Sequence, residues 1–200
     1  NSGKAKLYQT LFPAMVKNWR DEWKQGDFPF YYVQITPHKG QTPEIREAQL
    51  LSLKNIANTG MAVTTDVGDA NNIHPIDKQT VGHRLALIAL AKTYNEDKLV
   101  YSGPIYNHMK IKKDKIQLFF DYADSGFKKT NENLKEFEIA GDDKTYYPAV
   151  AKIDGKTIVV SSDKVKNPKS VRFAWKAVPE PNLFNAENLP ASPFRTDVSN

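Results

Sequence analysis

Cysteine is absent from the 200 residues, which excludes disulfides, thiolate metal sites and a cysteine nucleophile. Histidine is scarce, and the four present are scattered without close carboxylate spacing, so no metal site is expected. No apolar run reaches the roughly 18 to 20 residues needed for a helix to cross a bilayer. There is no glycine-rich phosphate loop and no Gly-x-Ser-x-Gly elbow. Neither charge sign dominates: 28 basic against 23 acidic residues leave +5, and the charges are mostly interspersed. The densest basic run, Lys110, Lys112, Lys113 and Lys115, alternates with Ile111 and Ile116 and contains Asp114. It reads as a solvated strand face, so neither nucleic acid nor a membrane is expected as a partner. An initiating methionine is also missing. The chain opens on Asn1, and the expectation is that something upstream has been removed, which leaves room for a targeting signal there.

What is present belongs to a folded protein: 40% apolar and 26% charged residues lie near the average for globular chains. The length admits one large domain or two smaller ones. From Ala5 to Gln25, apolar residues at Leu7, Leu11, Phe12, Met15, Val16, Trp19 and Trp23 recur near the helical period. Pro13 is expected to kink this helix or mark its start. Phe28 to Ile35 is an aromatic and β-branched run that predicts a strand covered on both faces. Thr42, Pro43 and Glu44 then open a helix running to about Asn58, with Gly60 as its left-handed cap. Met61 to Thr65 predicts a second strand. Asp77 to Tyr94 predicts a third helix with Val81, Leu85, Ile88 and Ala89 inward. Helices alternating with strands predict an α/β layer with parallel strands, whose carboxyl ends gather functional residues.

Beyond Lys98 the pattern becomes short β-rich runs: Lys115 to Tyr122, Glu136 to Ala140, Ala149 to Ile153, Thr157 to Ser161 and Val171 to Ala177. Asp154-Gly155 is the strongest hairpin signal, read with both residues at the centre of the turn. The expected organisation is an α/β region over residues 1–98 and a β-sandwich-like domain over residues 99–200. The tail from Val178 holds Pro179, Pro181, Pro190 and Pro193, which exclude regular structure, while Leu183, Phe184, Leu189 and Phe194 anchor it as a strap.

The most informative segment is the polar loop from Thr64 to Pro75, directly after the second strand. A histidine there, His74, can take a proton from a hydroxyl and return it to a leaving group. Pro75 holds the preceding backbone extended. His38 follows a strand beside Pro37 but reads as a surface or packing residue, and His83 and His108 are not placed to join His74. Trp19, Trp23 and Trp175 read as core or interface residues rather than sugar platforms.

The segment ending in Ile73-His74-Pro75, with Lys78-Gln79, Val81-Gly82 and Arg84-Leu85-Ala86, resembles the last sequence block of SGNH-type hydrolases, and the sialate O-acetylesterase family in particular. The resemblance continues through Leu11-Phe12-Pro13-Ala14, Trp19-Arg20, Glu44-Ile45-Arg46 with Gln49, Gly103-Pro104, Ile139-Ala140-Gly141, Val171-Arg172, Ala174-Trp175, Leu189-Pro190-Ala191 and Pro193-Phe194-Arg195-Thr196-Asp197. It implies a partial SGNH-hydrolase-like parallel-sheet layer followed by the smaller β domain. It implies His74 as general base in a serine–histidine acyl transfer. The family's serine block, Gly-Gln-Ser-Asn, is not in this chain. A second family block, Gln-Gly-Glu-Ser-Asn, ends by spacing on Asn1.

The nucleophile is thus expected on an N-terminal half, without which the chain is inactive. The family's acidic partner positions carry Asn71 and Asn72 here. The charge orienting His74 is therefore absent, or comes from that missing glutamate, or from Asp66 or Asp69. The implied substrate is an acetylated sialic acid or another acetylated sugar, with no cofactor. A periplasmic or secreted setting is expected if the source is bacterial. Two rivals are an acetylxylan esterase and a non-catalytic carbohydrate-binding or assembly fragment.

Overall fold

In the computed structural model, which describes residues 3–197, the helical spacing at the start of the chain forms α1, Ala5–Trp23. The helix runs through Pro13 rather than starting there. The proline costs one intrahelical bond, and burial of Phe12, Val16 and Arg20 on neighbouring turns offsets it. That buried line is narrower than the apolar pattern. Trp19 is 44% and Trp23 63% exposed, so neither belongs to the core of this chain. Their rings lie against Phe30 and Phe28, at 5.7 and 5.3 Å.

Next come β1, Phe30–Val33; α2, Pro43–Asn55; β2, Thr59–Ala62; and α3, Lys78–Lys92. β1 and β2 pair in parallel, from Phe30↔Thr59 to Val33↔Ala62. β2 begins at Thr59 and ends at Ala62, earlier than the expected Met61 to Thr65, and two further details differ from the sequence reading. Thr42 is extended at the start of α2, but its side chain makes no capping bond. The left-handed residue after α2 is Asn58, at φ 50°, and Gly60 lies inside β2. An added Cβ at Gly60 would sit 2.3 Å from Ile88 Cγ2, so this glycine serves the close approach of α3 rather than a turn.

The start of α3 is capped by Asp77, whose carboxylate accepts from Thr80 N at 2.9 Å and from the Thr80 hydroxyl at 2.6 Å. The hydroxyl bond is the main cause holding the Asp77 carboxyl below its ordinary value. On the inner side of α3, Ile88 is buried as expected. Arg84 is buried with it, where Val81, Leu85 and Ala89 had been expected inward and are only half-buried.

The chain divides into two compact units between Ser102 and Gly103. The second is entirely β: β3 Ile105–Lys112, β4 Lys115–Asp121, β5 Phe137–Ala140, β6 Tyr147–Pro148, β7 Val150–Asp154, β8 Thr157–Ser161, β9 Ser170–Phe173 and β10 Phe194–Arg195. They form two four-stranded sheets, ordered β3-β4-β8-β7 and β10-β9-β5-β6, with antiparallel pairings. Ile116, Leu118, Ile158 and Val160 of the first sheet share one core with Phe137, Ile139, Val171, Phe173 and Phe194 of the second. Both sheets thus bury alternate residues against each other.

The basic run spans the β3–β4 hairpin, with Lys112 opposite Lys115. In the β7–β8 hairpin Asp154 pairs with Thr157, so the central residues are Gly155 and Lys156. Of the expected pair only Gly155 sits at the turn, at φ 58°.

The tail lies against the β core with Leu183, Leu189, Ala191 and Phe194 buried, and Phe194 stacks on Tyr106 at 4.8 Å. It carries one regular element that its prolines were read as excluding. Phe194–Arg195 pair with β9, at the edge of their sheet and directly after Pro193, where a missing amide is tolerated. Among the described residues, no helix is long and apolar enough to cross a membrane.

Candidate active site

Each strand of the parallel pair is followed by a helix that sends a buried arginine back to the strand's exit. After β1, Arg46 of α2 is fully buried. Its Nε donates to Ile35 O and its Nη2 to Thr36 O, both at 3.1 Å. Gln49 adds an acceptor for Ile35 N at 2.8 Å, and Gln34 Nε2 donates to Arg46 O at 3.0 Å. Burial lowers the Arg46 guanidinium to about 10, so it stays charged at neutral pH.

After β2, Arg84 of α3 does the same. Nη1 donates to Val63 O at 2.8 Å and to Asp66 Oδ1 at 2.7 Å, while Nη2 donates to Asp66 Oδ2 at 2.6 Å. Spacing on a helix does not reveal these arginines, because their fork-shaped donors serve carbonyls distant in sequence.

The loop between β2 and α3 holds five of the candidate residues, and their side chains mostly order its own backbone. Both oxygens of Asp66 face Arg84. Asp69 Oδ1 accepts from Asn71 N at 2.7 Å and from Asn72 N at 3.2 Å. Asn72 Oδ1 accepts from His74 N at 2.9 Å. Asn71 Oδ1 accepts from Lys39 Nζ at 2.8 Å. These are Asx-type turns plus a bridge to the loop leaving β1.

His74 is exposed, and Pro75 beside it is buried. Among the described residues no partner is hydrogen-bonded to the His74 ring. Asn1 lies outside the described residues. His38 accepts from Gly40 N at 3.0 Å within its own turn, His83 is exposed on α3, and His108 stacks on Phe119 in the β unit.

Thr65 directly precedes Asp66 at the start of this loop. It is 4% exposed, and its hydroxyl has no hydrogen-bond partner among the described residues. An unmade buried bond is costly. Thr65→Val is therefore expected to leave the urea midpoint of this chain unchanged or to raise stability by about 1 kcal/mol. A clear loss on urea unfolding would contradict that.

A cavity of about 440 Å³ between α1 and the end of α2 is lined by Pro13, Lys17, Arg20, Asp21, Asp27 and Ile56 among others, and none of the candidate residues lines it. No group of three or more histidine or acidic side chains among the described residues is placed to hold a metal ion. The arrangement therefore offers an exposed imidazole on a tethered loop, at the carboxyl end of a parallel strand. It can exchange a proton with a group brought to it from outside this loop.

No family model matches the sequence. The sialate O-acetylesterase of Rattus norvegicus is 28% identical over 224 residues, which is 96% of this chain and 41% of the relative. The sialate O-acetylesterase of Homo sapiens is 28% identical over 219 residues, 94% of this chain and 42% of that protein. A crystal structure of a carbohydrate acetylesterase from Xanthomonas citri superposes with a TM-score of 0.90 at 39% identity, covering 96% of this chain and 46% of that one. Over nearly its full length the chain is thus similar to sialate O-acetylesterases and to a carbohydrate acetylesterase of known structure, while it spans less than half the length of any of these relatives.

Proposed function

We propose that this chain is the histidine-bearing part of an esterase that removes acetyl groups from sialic acids. The observation that carries the reading is His74. Its ring is exposed on a loop pinned to two strand exits, in a chain aligned almost end to end with sialate O-acetylesterases. Serine and histidine then divide the work in the usual way. His74 takes the proton from a serine hydroxyl as the serine oxygen attacks the acetyl carbonyl. The ester C–O bond breaks, and the protonated imidazole gives its proton to the departing sugar oxygen. Water, deprotonated by His74, releases acetate and restores the serine. The acyl transfer balances without a cofactor.

The serine belongs to an N-terminal half of the same enzyme, which is this chain's proposed partner. That half also completes the parallel sheet of which β1 and β2 are two strands, as an SGNH-type layer. Two parallel strands covered by helices are a small part of such a sheet. The acid that orients His74 is assigned to the same half. Both Asp66 oxygens are engaged by Arg84, and Asp69 Oδ1 accepts from two amides; the glutamate of the upstream family block is the proposed partner.

Reconstitution tests this reading. Mixed or fused with the serine-bearing half, the chain is expected to release acetate from O-acetylated sialic acid, and alone to release none. Faster release from acetylated xylan would move the substrate to plant polysaccharide. No release from either would leave a carbohydrate-binding or assembly fragment.

A further inference from the structure

The Arg84–Asp66 pair is placed to steer the loop that carries His74. The Arg84 side chain is 7% and that of Asp66 20% exposed. A charge pair this far from water gains little over well-packed apolar residues. What a forked pair supplies is direction: two parallel bonds fix the plane and position of a carboxylate in a way a single donor does not. The carboxylate held here belongs to the first loop residue after Thr65, so Arg84 sets the path on which the loop leaves β2. Its third bond, to Val63 O, ties the same guanidinium to the strand itself.

Downstream, the loop is fastened to the exit of β1. Gly68 packs so closely on Pro37 that an added Cβ would lie 2.4 Å from Pro37 Cδ. Lys39 N donates to Ala70 O at 3.1 Å, and the Thr36 hydroxyl donates to Ile73 O at 3.2 Å. Arg46 holds Thr36 O in turn. The backbone before His74 is thus stretched between two arginine-fixed points, and no hydrogen bond links either arginine to the imidazole among the described residues.

We infer that Arg84, acting through Asp66, is a positioning residue for His74: the forked pair fixes the loop so that the imidazole stands where the incoming serine hydroxyl must be met. The inference rests on the esterase reading for its consequence, and on geometry alone for the clamp. Small displacements of a reacting group are costly, with about 1 Å worth up to a hundredfold in rate.

The test uses the reconstituted enzyme and the chain itself. Asp66→Asn keeps the shape and loses the charge, while Arg84→Lys keeps the charge and loses the fork. Each is expected to lower kcat about tenfold or more with little change in KM, and the double variant to do no worse than the poorer single one. In a His74→Ala background neither is expected to lower kcat further, because the residue being positioned is gone. An equal further loss there would mean a general structural role, and an unchanged kcat in the His74-bearing enzyme would also overturn the proposal.

A second readout needs no turnover. In the 200-residue chain, Asp66→Asn is expected to shift or split the His74 Cε1–H resonance, leaving those of His83 and His108 in place. An unmoved His74 resonance would overturn the inference. A moved resonance in an enzyme whose His74→Ala variant keeps its turnover would keep the clamp and dismiss His74 as the esterase base. If Arg84→Lys does not fold, Asp66→Asn carries both measurements.

Discussion

Replacing His74 by alanine is expected to lower kcat of the reconstituted esterase by about a thousandfold, within the range general acid–base groups supply, while changing stability by no more than about 0.5 kcal/mol. The two halves of this expectation have separate grounds. The kinetic loss follows from the proposed chemistry, in which no other group takes the serine proton. The thermodynamic silence follows from the structure. The ring is exposed and makes no hydrogen bond among the described residues, and the loop is held by Asp66, Asp69, Asn71 and Asn72. Steady-state kinetics and thermal melting on one preparation check both. A large fall in melting temperature would make His74 structural.

The second large effect lies at the crossing of α3 over β2. Gly60→Ala places a methyl 2.3 Å from Ile88 Cγ2 and 3.2 Å from Tyr31 Cδ1, and Ile88 is fully buried, so neither side can yield. Overpacking of this kind costs about 1–3 kcal/mol. Ile88→Ala alone opens a cavity and costs about 2–5 kcal/mol. Combined, the new methyl enters the space the isoleucine leaves, and the double variant is expected to be more stable than the sum of the single losses implies, by about 1 kcal/mol or more. Additive losses in urea unfolding would contradict the packing described.

The same change should reach the site. Arg84 stands one turn before Ile88 on α3, so pushing α3 away from β2 also loosens the hold on Asp66. Gly60→Ala is therefore expected to lower kcat as well as stability, and Ile88→Ala to lower chiefly stability.

The alternation of helix and strand was legible because apolar periodicity is a local property, and the elements from α1 to α3 follow it. The register of detail was not. Gly60 looked like a helix cap because glycine after a helix usually is one. Its actual job is set by Ile88, far along the chain, and no local pattern encodes that approach. Of β3 only the end at Lys110 and Lys112 was legible as a strand face, because its outward residues include Asn107, His108, Lys110 and Lys112, and an edge strand rich in polar residues lacks the apolar signature of a central one. Arg84 and Arg46 enter the sequence reading only through the family resemblance, and helical spacing does not mark them as inward. Their burial depends on strand carbonyls and an aspartate that only the tertiary fold brings near.

The polar loop from Asp66 to His74 was recognisable as a set, from its composition and its place after a strand. The division of labour within it was not. That Asp66 meets an arginine and Asn71 a lysine depends on Arg84 and Lys39, distant in sequence, whereas Asp69 and Asn72 serve local Asx-type turns. The resemblance to sialate O-acetylesterases indicated the histidine, but it could not show how this chain, with Asn71 and Asn72 in the acidic positions, holds it.

The most direct test of the central claim compares two titrations of the reconstituted enzyme: kcat/KM for an acetylated sialic acid against pH, and the His74 Cε1–H resonance against pH. If His74 is the base, the acid limb of the rate follows the loss of the imidazole proton, point for point, and vanishes in His74→Ala. A rate that rises at a pH where the imidazole resonance does not move would remove His74 from the reaction.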